Sequence, residues 1–336
     1  MIKAINIYSE RMVSEFHRIL FTRGFTENKA LQCAQIFTNN SVDGVYSHGV
    51  NRFATFIKMV DGGYVKPNNT PSLKSKQGGI EQWDGNLGAG PLNAMHATDT
   101  AIDLSRQYGI GCMALSNTNH WMRGGAYGWH AAKKGFILIG WTNTIANMPA
   151  WGAIDNKLGN NPFVLAVPYK EEAIVLDMAM SQYSFGKMEL AKMKDEKLSM
   201  HGGYNSSGQL TNDPAEIIAS RRLMPIGYWK GAGLSLLLDV LATILSGGLS
   251  TFEISKSKIE TAISQVFIAI DISKLQNYSS IPQMINNIIN DYHQSATDDE
   301  MKKIIYPGER VLKIRKENLA QGIPVLKNIW DEILHL

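Results

Sequence analysis

The chain has 336 residues, 44% of them apolar and 19% charged, so it is longer than one hydrophobic core usually supports and has an ordinary globular composition. Two or three packed regions are expected, and a disordered or fibrous chain is excluded. A formal charge of +3 with no run of five Lys or Arg argues against nucleic acid or an anionic membrane as partner, leaving a small ligand as the expectation. Cys33 and Cys112 form no CxxC pair, so neither a zinc knuckle nor a disulfide framework is suggested. The N-terminus lacks the pattern of a secretory leader, and no stretch approaches 18 uninterrupted apolar residues. The expectation is a cytoplasmic protein in a reducing compartment.

Met12, Val13, Phe16, Ile19 and Leu20 form one apolar stripe at helical spacing, and that helix is expected to stop at Gly24. A second helix follows, capped by Thr26, with Ala30, Leu31, Ala34, Ile36 and Phe37 on its buried side up to Asn39 and Asn40. Phe53, Phe56, Ile57 and Val60 predict a third, from Gly49 to Asp61, with Ser47 near its N-cap. Next, GIEQWDG, GCMALSNT, GFILIGWTNT, NPFVLAVPY and EEAIVLDMAM read as strands, several of them near-continuous apolar runs bounded by Gly, Pro or Asn. Their connections around 136–180 are too short for crossover helices, so an all-parallel sheet is not expected. Leu234, Leu237, Leu238, Leu241, Ile244 and Leu245 then make a strongly apolar helix ending at Gly247. QVFIAIDI is one more buried strand, and Ile285, Ile288, Ile289 and Tyr292 mark a late helix. ATDDEMKK reads as a solvated turn. The fold class that follows is α/β, with α+β character: a mixed central sheet between helical N-terminal and C-terminal regions. Residues 1–75 with 280–336 form the mainly helical part, and residues 76–279 the sheet region that holds cofactor and substrate.

The glycines exclude familiar nucleotide motifs. GNLGAG (85–90) has the spacing GxxGxG rather than GxGxxG, KGAGLS (230–235) lacks a third glycine, and no GxxxxGK[ST] occurs. Gly231 and Gly233 are read first as close packing at a helix start.

Two polar clusters remain. In SHGVNRF (47–53), His48 and Arg52 are four apart and so share a face if both lie on a helix, away from the phenylalanine stripe. The free N–H groups of the first turn, the helix dipole and the Arg52 fork suit a carboxylate, and His48 beside it can exchange a proton near neutral pH. The same residues suit a surface His and Arg behind an ordinary serine cap, and the seven residues alone leave both readings open. Ser47 is not read as a nucleophile activated by His48, because adjacent side chains meet only in special backbone geometry and no GxSxG elbow is present. In the second cluster, Asn117, Asn119, His120, Trp121 and Arg123 crowd one strand exit, and Gly124-Gly125 would admit a ligand to the backbone. A polyol or sugar-acid pocket fits that set; a glycine-bearing surface loop is the plain alternative. No catalytic metal is expected, since no acidic residue stands at ligand spacing from these histidines.

SHGVNRF, NHWMRGGAYGW, GNNPFVLAVP, VLDMAMSQYSFGK, GYWKGAGLSLLLD and YPGER occur in the order and spacing of a known family. Nearly end to end, the chain resembles the NAD(P)H-dependent malate/lactate dehydrogenase-like oxidoreductases of the non-Rossmann type. The resemblance implies a non-Rossmann dinucleotide-binding fold, a homodimer, and NADH as cofactor, with NADPH also compatible. It implies His48 as the general acid, and Ser47, Arg52 and His120 as substrate-binding residues. The cofactor would lie against Ala173, Ile174, Val175, Leu176, Asp177, Met178 and Ala179, with Trp229, Lys230, Gly308, Glu309 and Arg310. NHWMRGGAYGW in place of NHFGxAGYY favours the branch acting on a sugar-derived keto acid, 2,3-diketo-L-gulonate, over a dicarboxylate. DMAMS in place of DxATS puts Met180 where many relatives have a threonine. The alternatives are a malate, lactate or ureidoglycolate dehydrogenase of the same family, and a sugar-acid binding protein without catalysis.

Overall fold

A computed structural model describes residues 4–298 and 303–336. Half of the turn read into ATDDEMKK, residues 299–302, lies outside these described residues. The centre is a seven-stranded sheet of β2 (Ser72–Gln77), β3 (Ile80–Asp84), β4 (Ile110–Thr118), β5 (Phe136–Thr142), β6 (Phe163–Tyr169), β7 (Glu172–Met178) and β8 (Ile263–Asp271), preceded in the chain by β1 (Ala4–Ile7). Its spatial order is β2-β3-β4-β8-β5-β6-β7. Only β3 and β4 run parallel; every other pairing is antiparallel. The short connections of β5, β6 and β7 therefore do what their lengths require, folding as antiparallel neighbours.

β7 ends the sheet on one side. Along it Ala173 and Val175 are buried and Ile174 and Leu176 are not, as expected of a strand with one covered face. The covering helix is α5 (Gly124–Lys133), and its Gly128 lies where a Cβ would stand 3.0–3.2 Å from Val164, Ala166 and Val175. Gly124-Gly125 thus opens a packed helix. The expectation of a loop admitting a ligand at these glycines is corrected: the side chains of Trp121 and Asp177 occupy the space beside them. A helix at Gly90–Tyr108, α4, has no counterpart in the sequence reading; its buried Ala94, Ala97 and Ala101 pack closely on the sheet without a conspicuous apolar stripe.

At the N-terminal end, α1 (Ser9–Thr22), α2 (Glu27–Val42) and α3 (Val50–Asp61) share a core with the C-terminal strand β9 (Ile323–Leu326), which pairs with β1. Phe53 stacks on Phe16 at 3.9 Å between ring centres and meets Phe37 edge-on at 5.2 Å. Such pairs add about 0.5–1.5 kcal/mol beyond area burial and fix the roll of α3. Several local expectations need correction. α2 runs to Val42, past Asn39-Asn40; Thr26 makes no side-chain cap; and Leu31, expected inside, is 40% exposed.

After α6 (Phe185–Met193), the apolar helix α7 (Trp229–Ser246) stops at Gly247, as expected. It has the length and composition of a membrane span, yet only a third of it is buried. Leu238 is inside, whereas Leu236, Leu237, Leu241 and Ile244 are exposed. In α8 (Ile281–His293), likewise, only Ile289 is buried.

Candidate active site

The chain between α2 and α3 makes a single tight turn, Tyr46–His48, before α3 begins at Val50. Ser41 Oγ accepts from Val50 N–H at 2.8 Å, and Asn40 Nδ2 donates to the His48 carbonyl at 3.0 Å. The cap of α3 therefore comes from Ser41 on the preceding helix, correcting the expectation for Ser47. A Cβ at Gly49 would fall 2.2 Å from Ser41 Oγ, so this cap requires glycine there.

Freed from capping, Ser47 places its Oγ 2.9 Å from His48 Nδ1. The tight turn supplies the special geometry that lets adjacent side chains meet. It also corrects the expectation that His48 and Arg52 share one helix face: His48 stands before the helix and Arg52 in its first turn. One of the N–H groups expected to bind an anion is used by Ser41.

The His48 ring lies 5.9 Å from that of His120, at 24° between planes. His120 accepts from Met122 N–H at Nδ1, 2.9 Å. Beside the pair is a cavity of about 150 Å³ lined by Arg52, Phe56, Asn119, His120, Met122 and Glu260. Sequence reasoning found Arg52, Asn119 and His120 here but missed Glu260, which sits in a polar stretch with no motif around it. Burial holds the His48 pKa below the usual histidine value, against the pull of Asp177 and with the help of Arg52 and Arg123. His120 is pushed well below its usual value, first by burial and then by Arg52 and His48. Burial likewise raises the Glu260 carboxyl above the usual glutamate value, opposed by the hydrogen bond from Ile145 N–H and by Arg52.

Not every residue of the second cluster reaches this cavity. Trp121 is in the core, and Arg123 is buried in an ion pair with Asp43, which Arg315 also grips with Nε at 2.6 Å and Nη2 at 3.1 Å. Arg123 thus anchors the turn before His48 to the start of α5. Asn117 points away from the cavity, donating to Asp84 at 2.8 Å.

The segments expected to hold the cofactor converge on β7. Val175 N–H donates to the Pro307 carbonyl at 3.0 Å, and Gly308, with φ +94°, lies where a Cβ would be 3.2 Å from Val175 N. This brings Gly308, Glu309 and Arg310, at the start of α9 (Glu309–Gln321), against the middle of the strand. At the far end of β7, Met180 N–H donates to the Asn160 carbonyl, and Ile226 N–H donates to the Met180 carbonyl. This joins the strand to the turn that carries Trp229 and Lys230. Asp177 accepts from Gly125 N–H at 2.8 Å. The Met180 side chain is fully buried and serves packing. Next to it, Ser181 Oγ is buried with no hydrogen-bond partner among the described residues, a costly arrangement unless a ligand meets it. A site strung along β7 with an unmet hydroxyl at one end fits an elongated dinucleotide. Among the described residues no group of His, Cys, Asp and Glu is arranged to hold a metal ion.

An imidazole meeting a hydroxyl near a cavity lined by an arginine suits proton exchange with a bound carbonyl compound, and the comparisons give the class of protein. The sequence model described as Malate/L-lactate dehydrogenase matches residues 7–334, and the chain belongs to that family. It is an enzyme of the dehydrogenase/reductase class acting on CH–OH donors and uses a nicotinamide cofactor. A 2,3-diketo-L-gulonate reductase of Pasteurella multocida (strain Pm70) is 42% identical over 97% of this chain and 98% of its own length. That of Haemophilus influenzae is 41% identical over 96% and 98%. Malate dehydrogenase from Entamoeba histolytica superposes with a TM-score of 0.93 over 99% of this chain and 97% of its own, at 21% identity, and so speaks for the fold alone.

Proposed function

We propose that this enzyme reduces 2,3-diketo-L-gulonate to 3-keto-L-gulonate with NADH, with His48 as the general acid. The observation that carries the reading is the Ser47–His48 contact set beside a cavity that also receives Arg52 and His120. The printed name of the 42%-identical relative supports the substrate. NADH rather than NADPH is part of the proposal.

Reduced nicotinamide, when bound, supplies hydride to the keto carbon; Ala173–Ala179, Trp229, Lys230, Gly308, Glu309 and Arg310 would hold it. Arg52 binds the substrate carboxylate through its guanidinium fork. Protonated His48 has two N–H donors: Nδ1–H is held by Ser47 Oγ, so the other is free for the substrate. As negative charge develops on the carbonyl oxygen, His48 passes it the proton and becomes neutral, the form its buried surroundings favour. Asp177, on the cofactor strand, favours the charged imidazole beforehand and so opposes the burial that would discharge it too early. His120 is kept neutral by its surroundings and adds no competing charge, serving as a hydrogen-bonding wall.

The active form proposed is a homodimer. Leu237, Ile244 and Phe252 are 58%, 66% and 69% exposed on and beside α7, an open apolar face of the kind that a second copy covers. The cytoplasm is the proposed compartment, where the buried thiols of Cys33 and Cys112 stay reduced. The test of function is loss of reduced-nicotinamide absorbance, with NADH and NADPH in parallel, against 2,3-diketo-L-gulonate, pyruvate and oxaloacetate. Consumption mainly of NADH with the diketo sugar acid is expected. Preference for pyruvate or oxaloacetate would overturn the substrate, and no turnover would favour a binding protein.

A further inference from the structure

Glu260 lies between the short helix Thr251–Ile254 and β8, and its position is fixed from two sides. Its Oε2 accepts from Ile145 N–H at 3.1 Å, while the neighbouring Thr261 Oγ1 donates to Asn119 Oδ1 at 3.0 Å. Asn119 is itself held by donating to the carbonyls of Tyr64, Leu87 and Gly88. The other carboxylate oxygen, Oε1, has no hydrogen-bond partner among the described residues, and no ion pair joins Glu260 to Arg52, although both line the same cavity. One acceptor would have sufficed for Ile145 N–H; a carboxylate leaves a second oxygen at the cavity wall.

We propose that Glu260 is a specificity-determining residue, whose Oε1 accepts a hydrogen bond from a hydroxyl on the chain of the keto acid and whose charge repels a second carboxylate there. The proposal rests on the reading of this cavity as the keto-acid site. Arg52 supplies one cation, which one substrate carboxylate satisfies. A hydroxylated chain then meets an acceptor, whereas a dicarboxylate brings its second charge toward another anion with no cation left to separate them. Burial makes both effects larger than they would be in water, because hydrogen bonds and repulsions strengthen as the local dielectric falls. A site built around a hydrogen-bonding group also discriminates strongly against molecules that lack its partner.

The test compares kcat and KM of wild type and Glu260→Gln with 2,3-diketo-L-gulonate, pyruvate and oxaloacetate. Glutamine keeps an oxygen for Ile145 N–H, so the fold should survive; the thermal midpoint and NADH binding check this. The ratio of kcat/KM for oxaloacetate over pyruvate should rise about tenfold, through KM, while that for the diketo sugar acid falls severalfold. Glu260→Asp, which keeps the charge but withdraws the oxygen, should lose affinity for the sugar acid without gaining oxaloacetate. An equal change for all three substrates, or none, would overturn the role of Glu260 and leave the keto-acid reading standing. No wild-type turnover of any of the three would instead overturn that reading, and this proposal with it.

Discussion

Helices α3 and α7 are both rich in apolar residues, but the chain treats them differently. α3 finds its partners within the chain: Phe53, Phe56, Ile57 and Val60 are buried against α1, α2 and the C-terminal segment, and its N-terminus carries Arg52 beside His48. α7 buries Leu238 and leaves Leu236, Leu237 and Ile244 open. The lesson is that apolar composition measures what must be covered, not what covers it. The helix beside His48 has its roll fixed by packing inside the chain; the other leaves an apolar face exposed.

Breaking α3 should have the larger effect. Phe53→Ala removes a fully buried ring stacked on Phe16 and should cost about 3–5 kcal/mol of folding stability, read as a lower denaturation midpoint. A loss below about 1 kcal/mol would mean that the aromatic cluster does not hold the helix. On α7, Ile244→Lys should leave the fold intact and turn the proposed dimer into a monomer by sedimentation, since it puts a charge on an exposed apolar face. An unchanged dimer would move the interface elsewhere.

The smallest effect concerns pH. His48 must be protonated to act as acid, and its pKa lies below the usual value of about 6.5. The kcat/KM for reduction should therefore fall as pH rises through a midpoint under about 6.5, and the reverse oxidation should rise over the same range. A midpoint well above 7, or no dependence, would remove His48 as the titrating group.

Much of this was legible in the sequence, for physical reasons. The strands showed because buried strands read as continuous apolar runs, and short connections forced antiparallel neighbours. His48, Arg52 and His120 stood out because they are hydrogen-bonding groups placed beside apolar elements, and the structure brings all three to one place. Other features depended on contacts that no local pattern encodes. Arg123 looks like a pocket residue until Asp43, 80 residues away, claims it. Ser47 looks like the cap until Ser41 takes that role from the end of another helix. α4 packs through alanines rather than a large-residue stripe, and Glu260 owes its position to the hydrogen bond from Ile145, 115 residues away.

The most direct test of the account is His48→Asn, measured for NADH binding by nicotinamide fluorescence and for turnover of 2,3-diketo-L-gulonate on the same sample. Near-normal NADH affinity with turnover reduced about 10²–10⁴-fold is expected, the span that general-acid catalysis supplies. Turnover close to wild type, or a loss of NADH binding equal to the loss of turnover, would contradict it.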